Sequence, residues 1–199
     1  MSHDPLLESV PDEDLLRRTA AGDAAAFTAL FRRRQPDVYR FALHMTGLPA
    51  AAEDVTQDVF LALIRDAGRY EAGRATVKAW LAGIARNHAR RRLERERGVV
   101  PLDEEHEERE TLVQPDPLDA LARTERIEAL RRAILTLPVA YREAVVLCDL
   151  QELTYVEAAA ALDCAVGTVR SRLHRGRALL GTKMRVEEPA PRRISRCLA

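Results

Sequence analysis

Four guanidinium groups crowd into one short stretch near the C-terminal end, on Arg170, Arg172, Arg175 and Arg177, with Ser171 and His174 among them. A guanidinium donates in a fixed fork that matches a phosphate or the O6/N7 edge of a guanine. No acid offsets this charge between Thr168 and Val186. A second cationic set, Lys78, Arg86 and Arg90, recurs at multiples of four, with Asn87 and Arg91 beside it. The cations suit phosphates, and the Asn87 amide can hydrogen-bond a base edge. Between Asp66 and Ala75, a glycine-interrupted stretch carries Arg69, Tyr70 and Arg74. Such a lining could stack on a base pulled out of a duplex, and it would equally suit a plain connecting loop. Glu53, Asp54, Gln57, Asp58 and Leu61 form a different kind of surface. It fits either a solvated face or a docking face for a basic partner helix.

Other chemistries are excluded. The chain shows no nucleophile–base pair, no phosphate-cradling glycine loop and no cluster of metal ligands, so neither a catalytic site nor a cofactor is expected. Cys148, Cys164 and Cys197 are odd in number and widely spaced, without a Cys-x-x-Cys motif, which predicts no zinc site. Cys148 and Cys164 fall in helical patterns and read as small core residues in a reducing compartment. His106 reads as solvated. The N-terminus, Met1-Ser-His-Asp-Pro5, lacks an apolar signal core, and no apolar run reaches membrane-spanning length. A cytoplasmic protein without membrane insertion is expected. The formal net charge is zero, but it sums separated blocks: basic from Arg74 to Arg97, acidic from Asp103 to Glu110, basic from Arg170 to Arg185. Two basic stretches flanking an acidic one suggest two nucleic-acid contacts despite a neutral total.

Helices must position these groups. Nearly half the residues are apolar, aromatics are few, and Ala, Leu, Arg and Glu dominate, which predicts an all-α fold. Residues 1–10 read as a lead-in. Pro11-Asp-Glu-Asp14 starts a helix with acids in its first turn, and Gly22-Asp23 ends it and caps the next. Phe27, Leu30, Phe31, Val38, Phe41, Ala42 and Met45 recur at three and four; Pro36 predicts a kink or restart, and Gly47 a C-cap. A third helix over 50–66 turns Val55, Val59, Leu63 and Ile64 inward. A fourth, over 76–97, buries Trp80, Leu81, Ile84 and Ala85 and turns Lys78, Arg86 and Arg90 outward. Residues 98–117 read as an acidic linker, extending to about 65–70 Å at most. That range suits two DNA modules one to two helical turns apart, about 35–70 Å.

A second helical domain spans 118–185. Leu121, Ile127, Leu130, Ile134 and Leu137 line its first helix, and Val139, Val145, Val146 and Leu147 its next, which begins at Pro138. Thr154 with Glu157 forms a capping box ahead of an alanine run. Asp163-Cys164-Ala165 is a turn, and Val169, Leu173 and Leu180 give the next helix a buried face. This is a helix-turn-helix with a basic second helix, the shape a DNA major groove accepts. An ordinary helical hairpin with a solvated basic face is the bland alternative. The tail, 186–199, reads as disordered.

Four segments in order resemble the sigma-70 family of bacterial RNA polymerase sigma factors, in the compact extracytoplasmic-function (ECF) group. They are Gly22-Asp-Ala-Ala-Ala-Phe-Thr-Ala-Leu30, Ala52-Glu-Asp-Val-Thr-Gln-Asp-Val-Phe60, Trp80-Leu-Ala-Gly-Ile-Ala-Arg-Asn-His-Ala-Arg90, and Leu137-Pro to Arg142-Glu joined with Gly167-Thr-Val-Arg-Ser-Arg-Leu-His-Arg-Gly-Arg177. The resemblance implies a region 2 domain over 11–97 and a region 4 domain over 118–185, without the region 3 of larger members. It implies that Glu53, Asp54, Gln57, Asp58, Phe60 and Leu61 meet the beta-prime clamp helices of core RNA polymerase, with the beta flap a further contact of the chain. Arg69, Tyr70, Arg74, Lys78, Arg86, Asn87, Arg90 and Arg91 would meet the minus-ten element. Thr168, Arg170, Ser171, Arg172, His174, Arg175 and Arg177 would read the minus-thirty-five element. Gly176 stands where alanine is frequent, at a helix-propensity cost of roughly 1 kcal/mol.

The expected function is that of a transcription initiation factor, not an enzyme, monomeric when free, with core polymerase, promoter DNA and an anti-sigma factor as partners. A free-standing helix-turn-helix regulator would bind operators without polymerase, usually as a symmetric dimer. An adaptor binding only protein would need neither basic helix.

Overall fold

The computed structural model describes residues 7, 9–97 and 117–187. The expected linker, His106, Cys197 and nearly all of the expected tail lie outside them. Every regular element among the described residues is helical. Helix α1 (Asp12–Ala20) carries Asp12, Glu13 and Asp14 in its first turn, where the helix dipole favours them. Helix α2 (Ala24–Thr46) is capped by Asp23, whose side chain accepts from the amides of Ala25 and Ala26. It ends at Gly47, which adopts the left-handed conformation at φ 80°. Helix α3 (Pro49–Asp66) begins with proline at its first position, where no amide is needed. A 3₁₀ turn (Ala67–Arg69) leads on, and α4 (Val77–Arg97) follows, its Ala79 amide capped by Thr76 Oγ1 at 3.3 Å.

The C-terminal half contains α5 (Pro117–Leu135), α6 (Val139–Val145), a π-helical turn (Val146–Leu150), α7 (Tyr155–Leu162) and α8 (Val166–Glu187). The Thr154/Glu157 capping box is present in full, and Asp163 makes the tight turn at φ 49°. Val169 and Leu173 are buried, and Leu180 packs beside them.

The structure sharpens three expectations. Helix α2 runs on through Pro36 without the restart that was one of the two outcomes expected there. The lost hydrogen bond, worth part of the roughly 3 kcal/mol that an interior proline costs, is outweighed by burial on both sides, of Leu30 before and Val38 and Phe41 after. Asp37 also ties the turn together through Arg34 and Arg40. Ile64 and Ile127 face outward rather than inward; each lies at the margin of its helix's apolar stripe, where a small rotation decides the side. Finally, the two halves are not held apart. One continuous core runs from Leu16, Phe41 and Leu81 through Ile134, Leu147 and Leu153 to Ala158, Leu162 and Val169.

Candidate nucleic-acid interface

Helix α8 presents Arg170, Ser171, His174, Arg175 and Arg177 to solvent, with Arg172 and Thr168 half-buried. They are not equally free. Arg177 forms a two-point ion pair with Asp149 of the π-helical turn, Nε to Oδ2 at 3.0 Å and Nη2 to Oδ1 at 2.5 Å. That hydrogen bonding holds the Arg177 pKa above its ordinary value. The Arg170 guanidinium lies over the Tyr155 ring, 5.7 Å from its centre. Arg175 reaches the Tyr141 hydroxyl at 3.5 Å, a long contact. The exposed edge therefore offers Ser171, His174 and Arg175 most directly, with Arg170 and Arg177 oriented from behind.

Helix α4 departs from expectation. Lys78, Arg86 and Arg90 do share one face, but the C-terminal half covers most of it, leaving the Arg90 side chain 42% exposed. Lys78 Nζ donates to the Gln151 carbonyl at 2.5 Å. Arg86 Nε lies 3.1 Å and Arg90 Nε 3.7 Å from Glu143 Oε1. Asn87 and Arg91 remain exposed beside this seam. In the preceding loop, Arg69 and Arg74 are exposed and pair loosely with Asp66 and Glu71, at 3.3 and 3.4 Å. Tyr70 is not offered as a free stacking platform. Its hydroxyl donates to the Ala75 carbonyl at 2.6 Å, and its ring meets Trp80 edge-on, with centroids 5.6 Å apart. Burial and the nearby carboxylates of Glu13 and Asp12 raise its pKa.

Helix α3 exposes Glu53, Asp54, Gln57 and Asp58. Asp54 accepts from Arg92 at 2.8 Å, and Asp58 lies 3.3 Å from His88 Nδ1, so both acids also brace α3 against α4. Phe60 is buried at the base of the helix rather than exposed on its face. Its ring floors a groove of about 620 Å³ lined by Phe27, Phe31, Gln57, Leu61 and Ile64. Phe31 and Phe60 meet edge-on at 4.6 Å. Leu61 and Ile64 stand 57% and 54% exposed on its rim. The acidic face thus borders an open apolar groove, a pairing that the sequence did not disclose.

Residues 30–99 match the family described as Sigma-70 region 2, and residues 127–180 match Sigma-70, region 4. An ECF RNA polymerase sigma factor, SigM of Mycobacterium tuberculosis (strain ATCC 25618 / H37Rv), is 37% identical over 173 residues, covering 85% of this chain and 82% of its own length. The chain belongs to the ECF sigma factors of the sigma-70 family. The ECF RNA polymerase sigma factor SigE of Mycolicibacterium smegmatis is also 37% identical, over 163 residues and 79% of this chain. The chain spans 62% of that relative's length. Among solved structures, CnrH in complex with the cytosolic domain of CnrY has the same fold, with a TM-score of 0.67 at 24% identity over 88% of this chain and 98% of that one. So does RpoE in complex with the anti-sigma factor NepR from Bartonella quintana, with a TM-score of 0.65 at 24% identity over 81% and 98%. As a sigma factor the chain is an initiation factor and not an enzyme.

The residues that reasoning from the sequence missed lie where the region 2 and region 4 halves meet. Arg142 donates to the carbonyls of Met45 at the end of α2, of Leu135 at the end of α5, and of Leu137. Its charge thus serves two helix C-termini at once. Glu143 is fully buried. Gln151 Nε2 donates to the Asp37 carbonyl at 2.6 Å. Glu157, besides capping α7, accepts from Thr76 at 2.9 Å. Burial alone would raise the Glu157 pKa, yet hydrogen bonds from Thr154 and Thr76, with Lys78 nearby, bring it below its ordinary value. One signal for these was available: an adjacent Arg–Glu pair inside the apolar run from Val139 to Leu147. Charges there need partners from elsewhere in the chain.

Among the described residues no group of His, Cys, Asp and Glu could hold a metal, and no helix is long and apolar enough to cross a membrane. Cys148 and Cys164 are half-buried. Burial, with Asp149 alongside, pushes the Cys148 thiol up to about 11, which makes it unreactive at neutral pH.

Proposed function

We propose that this chain binds core RNA polymerase, brings it to a particular set of promoters and helps to open the minus-ten element. The observation that carries this is a chain with region 2 and region 4 in order, whose helix-turn-helix leaves Ser171, His174 and Arg175 exposed on α8. The region 4 domain, over 118–185, takes duplex DNA at the upstream element through Thr168, Arg170, Ser171, Arg172, His174 and Arg175. Arg177 acts there mainly by fixing α8 through Asp149. The region 2 domain, over 11–97, meets the opened strand with Arg69, Arg74, Asn87 and Arg91, and with Lys78, Arg86 and Arg90 once they are uncovered. Glu53, Asp54, Gln57, Asp58 and Leu61, beside the Phe31/Phe60 groove, receive the beta-prime clamp helices, and region 4 reaches the beta flap. The protein works in the cytoplasm with polymerase and is monomeric when free. An anti-sigma factor is a further partner, as NepR is for the RpoE of Bartonella quintana. A free-standing regulator would have no use for a region 2 domain.

Run-off transcription from a genomic template pool with purified core polymerase tests this. Promoter-specific transcripts are expected. Asp54→Arg should cut co-purification with polymerase while the far-ultraviolet spectrum stays unchanged. Arg175→Ala should cost about 1–3 kcal/mol of binding at the upstream element with polymerase affinity intact. A folded protein that yields no specific transcript would sink the reading.

A further inference from the structure

We propose that Tyr70 is a positioning residue: its hydroxyl closes the loop over 70–75 into a fixed clasp that sets Arg69 and Arg74 for the opened strand, without itself touching the nucleic acid. This rests on the reading of that loop as a surface that meets the opened strand.

With Gly68, Gly73 and several exposed charges, the stretch between α3 and α4 has the composition of a slack connector. The structure ties it at three points instead. At one foot, the Tyr70 amide donates to the Ala67 carbonyl of the 3₁₀ turn at 3.3 Å, and Ala67 is buried. At the tip, the Arg74 amide donates to the Glu71 carbonyl at 3.3 Å, and Gly73 takes φ 87°, which a turn of this kind asks of its third residue. Across the base, the Tyr70 hydroxyl donates to the Ala75 carbonyl at 2.6 Å. Ala75 directly precedes Thr76, whose side chain caps α4. The Tyr70 ring rests edge-on against Trp80, one turn into that helix. The clasp therefore fastens the loop to the start of α4. Burial and the carboxylates of Glu13 and Asp12 hold the Tyr70 pKa above its ordinary value, so the hydroxyl keeps its proton and stays a donor at neutral pH.

Arg69 and Arg74 each lie one residue before an end of the clasp, so their backbone roots are held at a set spacing. Their guanidinium groups stand in solvent and pair with Asp66 and Glu71 at 3.3 and 3.4 Å. Such loose, exposed pairs hold weakly and exchange readily for phosphate oxygens. Fixed roots with free heads let a site take an irregular single strand without first ordering itself. A loop that is competent only part of the time loses affinity by that fraction. Tyr70 acts on the strand through this fraction.

Tyr70→Phe keeps the ring against Trp80 and removes only the hydroxyl. Gly73→Ala strains the tip, because alanine disfavours this positive φ although the space around it is open. In the free chain, hydrogen exchange at the Arg74 amide should quicken about tenfold in both variants. The melting temperature should fall by a few degrees at most. In the assembled holoenzyme, on a promoter recovered by run-off from the genomic pool, polymerase affinity and closed-complex binding should be unchanged. If the competent fraction of the loop drops to about a tenth, the opening rate falls about tenfold. On a template whose minus-ten element is already opened, the preference for the native strand over single-base variants should shrink by about threefold. A merely structural role would leave that preference alone. Unaltered exchange at Arg74, or unaltered opening rate and base preference in Tyr70→Phe, would overturn the proposal. So would a loss of opening that only tracks a loss of melting temperature, with base preference intact. Arg69→Ala with Arg74→Ala on the opened template tests the reading beneath it. Undiminished strand affinity there would take the loop off the opened strand, whatever Tyr70→Phe does.

Discussion

Gly176 lies in the middle of α8, on the side turned away from solvent. A Cβ at this position would come 2.7 Å from Val145 Cγ2 and 3.3 Å from the Tyr141 carbonyl oxygen. Valine is stiff about χ1 and the carbonyl is backbone, so neither can yield cheaply. Gly176→Ala gains up to about 1 kcal/mol of helix propensity but overpacks the α6–α8 contact at a cost of about 1–3 kcal/mol. Net destabilisation of about 1 kcal/mol is expected in urea unfolding. From the sequence this glycine showed only its propensity cost, because what it makes room for lies on a different helix. Arg177 taught the same lesson. Its charge was legible, but the Asp149 carboxylate that holds it was not, since the π-helical turn aiming Asp149 leaves no periodic trace.

At the scale of elements, the sequence was most informative where the cause is local. The Asp23 cap, the Gly47 stop and the Thr154/Glu157 box each depend on residues within four positions, and each is present. The outward face of α4 was misjudged because amphipathic spacing says which residues share a side, not what covers it. Helix α2 carries a further cross-element contact. Burial, together with the charges of Arg131 on α5 and Arg40, lowers the pKa of His44. A histidine with a depressed folded pKa stabilises the fold fully above its unfolded value near 6.5. That stabilisation is lost as pH falls from there towards the folded value. Acidification from about pH 7 to about pH 5.5 should therefore lower the melting temperature of the wild type more than that of His44→Gln, by a few degrees. Differential scanning fluorimetry at both pH values checks it; equal losses would show that His44 is not the group responsible.

At the scale of the molecule, Arg142 joins the two halves by serving carbonyls in both. A core that runs through both domains should unfold as one cooperative unit. Calorimetry of the wild type is expected to show a single transition. Arg142→Met leaves buried carbonyls unpaired at about 1–3 kcal/mol, and it should split that transition into two. The two-domain content was legible in the order of segments; their closure was not, because it depends on a few long-range polar contacts between otherwise ordinary surfaces. The open groove over Phe60 has a separate consequence, for handling the protein. Near pH 7 the chain carries no net charge, so little long-range repulsion keeps copies apart. Phe31, Leu61 and Ile64 together offer an uncovered apolar patch, and such patches drive self-association. Concentrated stocks are therefore least soluble close to neutral pH, and they keep best a unit or more away from it, or with the groove filled.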